Sequence, residues 1–136
     1  KIIICGRNEG KQFQYLNKLN HPLVINIGEV DDIETYFAAT DVFINPVLQG
    51  GGIQTKNIEA ISYGCQLVCF ENRLSGINKN LFTIHITTAQ PGNFEQFCNA
   101  TRASLQKDTS PPTAEFYNQY CIENLTKKLV ERLITD

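Results

Sequence analysis

Three adjacent glycines, Gly50-Gly51-Gly52, stand between an apolar run and a helix-forming segment that carries Lys56 and Glu59. Glycine loses more conformational freedom on folding than any other residue, so three in a row need a reason beyond a turn. A backbone without Cβ lets a ligand approach closely. The amides and the positive dipole end of a following helix attract anions. A phosphate or pyrophosphate is the guest that fits. Neither common phosphate loop is present, however. No Gly-Lys-Ser/Thr follows at P-loop spacing, and the pattern G-x-G-x-x-G breaks at Thr55. The segment Gly6-Arg7-Asn8-Glu9-Gly10-Lys11 is one residue short between its glycines, with Gln12 where a magnesium-binding hydroxyl belongs.

Lys56 and Glu59 lie three residues apart and share a helix face. As a solvent-exposed pair they are worth at most a few tenths of a kcal/mol, because Lys before Glu is the weaker order. As site residues, Lys56 sits beside a phosphate and Glu59 accepts hydrogen bonds from a sugar's vicinal hydroxyls. Spacing alone leaves both readings open.

The elements that must position these residues alternate between short apolar runs and amphipathic stretches. Strands are expected at Ile2–Cys5, Leu23–Ile27, Val42–Val47, Cys65–Phe70 and Leu81–Ile86. Helices are expected over 11–20, after the capping pair Asp31-Asp32, over 53–63, over about 93–106, and over 114–133 as one long closing helix. This alternation means β-α units and a parallel sheet, a Rossmann-like three-layer α/β domain spanning residues 1–136, closed by the helical segment 112–136. Ligands bind at the carboxyl ends of such strands. Three segments open there: Gly6 to Glu9, the glycine triplet, and Glu71 to Asn80, which contains Arg73, Ser75 and Gly76. For the last of these, a backbone contact to phosphate or sugar and an ordinary loop weigh about equally. His21 precedes Pro22 in a turn and is expected to face solvent, His85 to be a core histidine, and Tyr117, Tyr120, Leu125 and Leu129 to face the core.

The 136 residues, 42% hydrophobic and 19% charged, suit one globular domain. A formal charge of −2 gives no basic field for nucleic acid or anionic membranes. No apolar run approaches the roughly 20 residues needed to span a bilayer. Five cysteines without a C-x-x-C pair read as free thiols, Cys65 and Cys69 buried among them. With no secretory segment, the expected location is cytoplasmic, the inner membrane face staying open for a larger protein. The first residue is Lys1, and the chain is read as part of something longer.

The stretch GEVDDIETYFAATDVFINPVLQGGGIQTKNIEAISYGCQLVCF resembles the carboxy-terminal, donor-binding half of GT-B glycosyltransferases, the family-4 and family-1-like group. The match runs through Gly28, Asp31-Asp32, Asp41 to Pro46, Gly50 to Gly52, Lys56, Glu59, Ala60, Gly64 and Val68, and covers residues 1–70 well. The resemblance implies that Glu59 is the second glutamate of an E-x7-E motif and holds the donor ribose. It places diphosphate and sugar at Gly50, Gly51, Gly52 and the helix start at Ile53, with Ser75 and Gly76 beside them. Lys56 becomes the candidate cation for the leaving group. It also implies a nucleotide-diphosphate sugar as partner, no metal or other cofactor, retention of configuration and a role in polysaccharide synthesis of the bacterial type. Two departures stand out. Position 51, where the first glutamate belongs, is Gly51. The family's Gly-Arg and Lys precede the strand matched by Ile2 to Gly6; Arg7 and Lys11 are substitutes, or the pair lies upstream with the acceptor domain. The expected activity is sugar transfer by the whole enzyme, the separate domain being inactive. The rivals are a flavodoxin- or receiver-like binding module and a non-catalytic scaffold. A receiver needs acidic groups after the first strand and an aspartate after the third, where Cys5-Gly6-Arg7 and Pro46-Val47 stand.

Overall fold

Short runs of β-branched and aromatic residues form the strands, and helical segments follow most of them. The computed structural model describes residues 1–7, 11–81 and 84–135; the side chains of residues 11–13, 17, 81 and 135 fall outside that description. The chain divides into two compact units, Lys1–Tyr36 and Phe37–Asp136.

In the first unit, β1 (Ile2–Cys5) pairs in parallel with β2 (Val24–Gly28), Ile2 opposite Val24 and Cys5 opposite Gly28. A 3-10 segment at Lys11–Lys18 joins them, where an α-helix was expected. Asp32 caps α1 (Ile33–Ala38), its carboxylate accepting from the Thr35 amide at 3.1 Å and from the Thr35 hydroxyl.

The second unit is built around β4 (Gln66–Phe70), whose five residues are all buried. It pairs in parallel with β3 (Val42–Asn45) on one side and β5 (Ile86–Ala89) on the other. Successive side chains of β4 alternate between two cores, as the pleat requires. Leu67 and Cys69 pack with Ile61 of α2 (Thr55–Ser62), Leu74, Ile77 and Phe116. Val68 and Phe70 pack with Ala89 and with Phe97 and Ala100 of α3 (Phe94–Ser104). Helices therefore cover both faces of a parallel sheet, giving three layers.

Four expectations change. Alternation marks strands but not their neighbours, and the strands form two ladders, β1-β2 and β3-β4-β5, in place of one sheet. The fifth strand is Ile86–Ala89: the β-branched run Ile86-Thr87-Thr88 takes the ladder, while Lys79–Leu81 is a 3-10 turn and Phe82 and Thr83 lie outside the described residues. The closing helix is two helices, α4 (Ala114–Tyr120) and α5 (Ile122–Thr135), separated at Cys121, whose ψ of 129° is extended. Side chains of α5 take up carbonyls at the break: Asn124 Nδ2 donates to Tyr117 O at 3.1 Å and Lys128 Nζ to Asn118 O at 2.9 Å. That break carries the apolar stripe of α5 off the core. Leu125 and Leu129 are exposed, Tyr117 is exposed, and Phe116 with Tyr120 provides the packing.

All five cysteines are free. Cys65 and Cys69 are buried as expected, and burial pushes their thiols up to about 11 and about 12, so both are protonated at neutral pH. No described helix is long and apolar enough to cross a membrane.

Candidate functional site

Asn45 and Cys69 are register partners near the carboxyl ends of β3 and β4, so the loops that follow these strands emerge side by side. One is the glycine loop leading into α2, and the other begins at Glu71. This is where a parallel α/β unit binds ligands.

A chain of buried polar groups ties the two loops together. Asn45 Nδ2 donates to Asn57 Oδ1 at 2.8 Å, and Asn57 Nδ2 donates to the Arg73 carbonyl at 3.1 Å. The Arg73 guanidinium then returns to the glycine loop. Its Nη1 donates to Gly50 O at 2.7 Å and its Nη2 to Leu48 O at 3.1 Å. Asn72 Nδ2 also donates to Leu48 O at 3.1 Å. Asn57 is fully buried and Arg73 is 7% exposed. Buried polar groups are retained where they are hydrogen-bonded, and here the bonds fix one loop on the other.

The network answers part of what the glycines raise. Gly50 has φ +137° and Gly52 φ +79°, values that side-chain-bearing residues rarely adopt. A Cβ on Gly50 would stand 3.4 Å from Arg73 Nη1. Part of the close approach to this backbone is thus made by the protein's own arginine. Gly51 is different: its φ is not positive, and a Cβ there would meet no atom within 4 Å. The fold itself does not require glycine at 51. In the second loop, Gly76 has φ +78° and a Cβ on it would lie 2.7 Å from Ile53 Cγ1. Ile53 rests on that bare backbone, ahead of α2 and 59% exposed, apart from Ile58 and Ile61, which pack on the core.

The start of α2 also differs from its neighbours. Asn93 caps α3 by accepting from Gln96 N, and Thr113 caps α4 by accepting from Phe116 N, but Gln54 makes no side-chain cap for α2. Thr55 N and Asn57 N donate to Ile53 O at 3.1 Å and Gln54 O at 2.9 Å, which leaves the Lys56 amide of that turn without a described acceptor and open to an anion. No acidic residue lies in that turn, and Lys56 does.

Lys56 Nζ donates to Glu59 Oε2 at 2.7 Å and stands 5.9 Å from the centroid of the Phe37 ring. The ion pair of the bland reading is therefore formed, with Glu59 Oε1 free of a described partner. Ser75 is exposed in the turn before Gly76. The structure gathers Gly50, Gly51, Gly52, Ile53, Lys56, Glu59, Ser75 and Gly76 in the two loops and the first turns of α2. Arg7 belongs to the first unit, where it is exposed and paired with Glu29 at 2.9 Å; Asn8, Glu9 and Gly10 lie outside the described residues. His21 is exposed and His85 is buried, both as expected. A shallow groove of about 270 Å³, lined by Tyr63, Gly64, Ser110 and Pro111 among others, lies at the opposite end of α2 from the glycines.

Sequence reasoning missed Asn45 and Asn57, and for the loop of Arg73 it weighed a ligand contact equally with an ordinary loop without foreseeing the arginine's hold on Leu48 and Gly50. The signal was an asparagine at position 57, four residues before the core residue Ile61 and hence on the same buried face.

The arrangement is that of a Rossmann-like α/β domain, matching one half of a GT-B architecture. In fold the chain is similar to Anabaena Alr3699/HepE, solved in complex with UDP and also with UDP and glucose. Each comparison gives a TM-score of 0.77 at 15% identity over 98% of this chain. The chain spans 40% of the length of those structures. Residues 1–107 match the family described as glycosyl transferases group 1, and the chain belongs to that family. No curated protein matches it.

Proposed function

We propose that this domain binds a nucleotide-diphosphate sugar and that the protein it belongs to transfers the sugar to an acceptor. The observation that carries the reading is the uncapped start of α2 directly after the glycine loop, in a member of a glycosyltransferase family. The diphosphate lies against the amides of the loop and the first turn of α2. Glu59 receives the ribose hydroxyls through Oε1 while Oε2 keeps Lys56, and Lys56 neutralises charge developing on the leaving group. The Glu71 to Asn80 loop borders the sugar through Ser75 and Gly76. UDP is the first base to try, because the similar HepE structures contain it. The reading also takes the transfer to be retaining and metal-independent, in the cytoplasm, as a step of polysaccharide synthesis completed by an acceptor domain. Added chelator then leaves the rate of the whole protein unchanged.

The test is a calorimetric and thermal-shift titration with UDP, GDP and ADP on the wild type and on Glu59→Ala and Lys56→Ala. A ligand of the native state raises stability by RT ln(1 + [L]/Kd), so even a weak site registers at high ligand. One diphosphate is expected to bind, with loss of about tenfold or more in affinity in Glu59→Ala. Equal binding by both proteins removes Glu59 from the site.

One observation favours a second reading, a donor-type domain retained as a non-catalytic scaffold. Gly51 presents no side chain where the first glutamate of the E-x7-E motif is expected. Donor hydrolysis or transfer by the whole protein would dismiss the scaffold.

A further inference from the structure

We infer that Arg73 is a positioning residue that turns the amides of Gln49 and Gly51 outward as a paired donor site for the ligand's phosphates; this rests on the reading that an anion occupies the glycine loop. The guanidinium draws two carbonyls toward itself, Leu48 O at 3.1 Å and Gly50 O at 2.7 Å. The peptides here are trans, and in a trans peptide the N–H points opposite to the C=O. The amides that share those peptide planes belong to Gln49 and Gly51. Fixing the two carbonyls on Arg73 therefore aims both amides away from it, two residues apart on one side of the loop. Neither amide donates to a described residue.

Three further features fit. Arg73 is held from behind by Asn57 Nδ2 on its carbonyl, and Asn57 by Asn45, so the fork is anchored to β3 and α2 and not free to swing. No described carboxylate pairs with this buried cation, and its Nε has no partner among the described residues. A buried cation without a counter-ion is unfavourable, and an anion across the loop relieves it. Finally, Gly51 needs no special φ and has open space where its side chain would be. An unhindered approach to its amide gives that glycine a use that the fold does not. A lysine cannot replace the fork, since one ammonium lacks the planar two-pronged geometry that reaches both carbonyls.

Two measurements test this. The first compares the affinities of UDP and uridine for the wild type, Arg73→Lys and Gly51→Ala. UDP binding is expected to weaken about tenfold or more in both variants while uridine binding stays unchanged, and Gly51→Ala keeps the wild-type melting temperature. A role in stability alone would lower the melting temperature of Arg73→Lys and leave the UDP-to-uridine ratio unchanged, which overturns the inference. The second follows the amide signals of Gln49 and Gly51 in the wild type by NMR during titration with inorganic pyrophosphate. Both are expected to shift with one common saturation curve. Static signals alongside tight UDP binding contradict the role of the two amides and leave the nucleotide reading standing. Shifts with pyrophosphate but no binding of any nucleotide support the amide pair and remove the nucleotide. Response to neither ligand sinks both.

Discussion

At the scale of single residues, the candidate site depends on polar groups that the surrounding core cannot replace. Asn57 Nδ2 and Oδ1 serve the Arg73 carbonyl and Asn45 Nδ2. Asn57→Ala leaves both partners buried and unsatisfied, each costing about 1–3 kcal/mol. A loss of about 2–4 kcal/mol in a urea titration is expected. Asn57→Asp keeps the acceptor for Asn45 but sets a buried carboxylate oxygen against the Arg73 carbonyl, so a loss at least as large is expected. His85 is the other buried polar group of note. It is 2% exposed, its two ring nitrogens have no described partner, and burial holds its imidazole below the ordinary 6.5. The sign follows from linkage: below that value the unfolded chain binds a proton more readily than the fold. The contribution of His85 is complete above 6.5 and is lost as pH falls through the depressed folded value. Urea midpoints measured from pH 7.5 down to about 5 should fall more steeply in the wild type than in His85→Leu. Identical slopes would remove His85 as the cause. The shared helix face of Lys56 and Glu59 was legible from spacing, while spacing left open whether they pair, as they do at 2.7 Å. Arg73 was not, because nothing local shows that a loop arginine reaches back 23 residues to Gly50.

At the scale of elements, the site is two loops leaving adjacent parallel strands, and each needs glycine for its own reason. Gly76→Ala meets two obstacles, a φ of +78° and Ile53 Cγ1 at 2.7 Å from the new Cβ. A cost of about 1–3 kcal/mol is expected, measured as a fall in the urea midpoint with an unchanged slope. Gly76 also accepts a hydrogen bond from Tyr120 Oη at 3.1 Å, which ties the second loop to α4. Strands and helices were largely readable, because β-branched runs and 3.6-residue periodicity are local properties. The exceptions depend on contacts that neither a β-branched run nor helical periodicity encodes. Ile86-Thr87-Thr88 becomes a strand by pairing with β4, and the closing helix breaks at Cys121, where side chains from α5 satisfy the carbonyls around the break.

At the scale of the molecule, a parallel α/β chain of the glycosyl transferases group 1 family spans 40% of the length of similar solved structures. Strands β1 and β2 and helix α5 each carry exposed apolar residues, with Ile2, Ile3, Ile25, Ile122, Leu129 and Leu133 all outside a core. The fold class could be read from the alternation of elements, and the family resemblance from the glycine triplet followed by Lys56, Glu59 and Gly64. Which strands share a ladder could not, since pairing depends on contacts far apart in sequence. The most direct test of the donor-site reading is a crystal structure of the domain grown with UDP, with GDP and ADP as alternatives. The account predicts the diphosphate within about 3 Å of amides in the glycine loop and first turn of α2, with ribose hydroxyls on Glu59. A nucleotide bound elsewhere on the chain, leaving those amides to solvent, would contradict it.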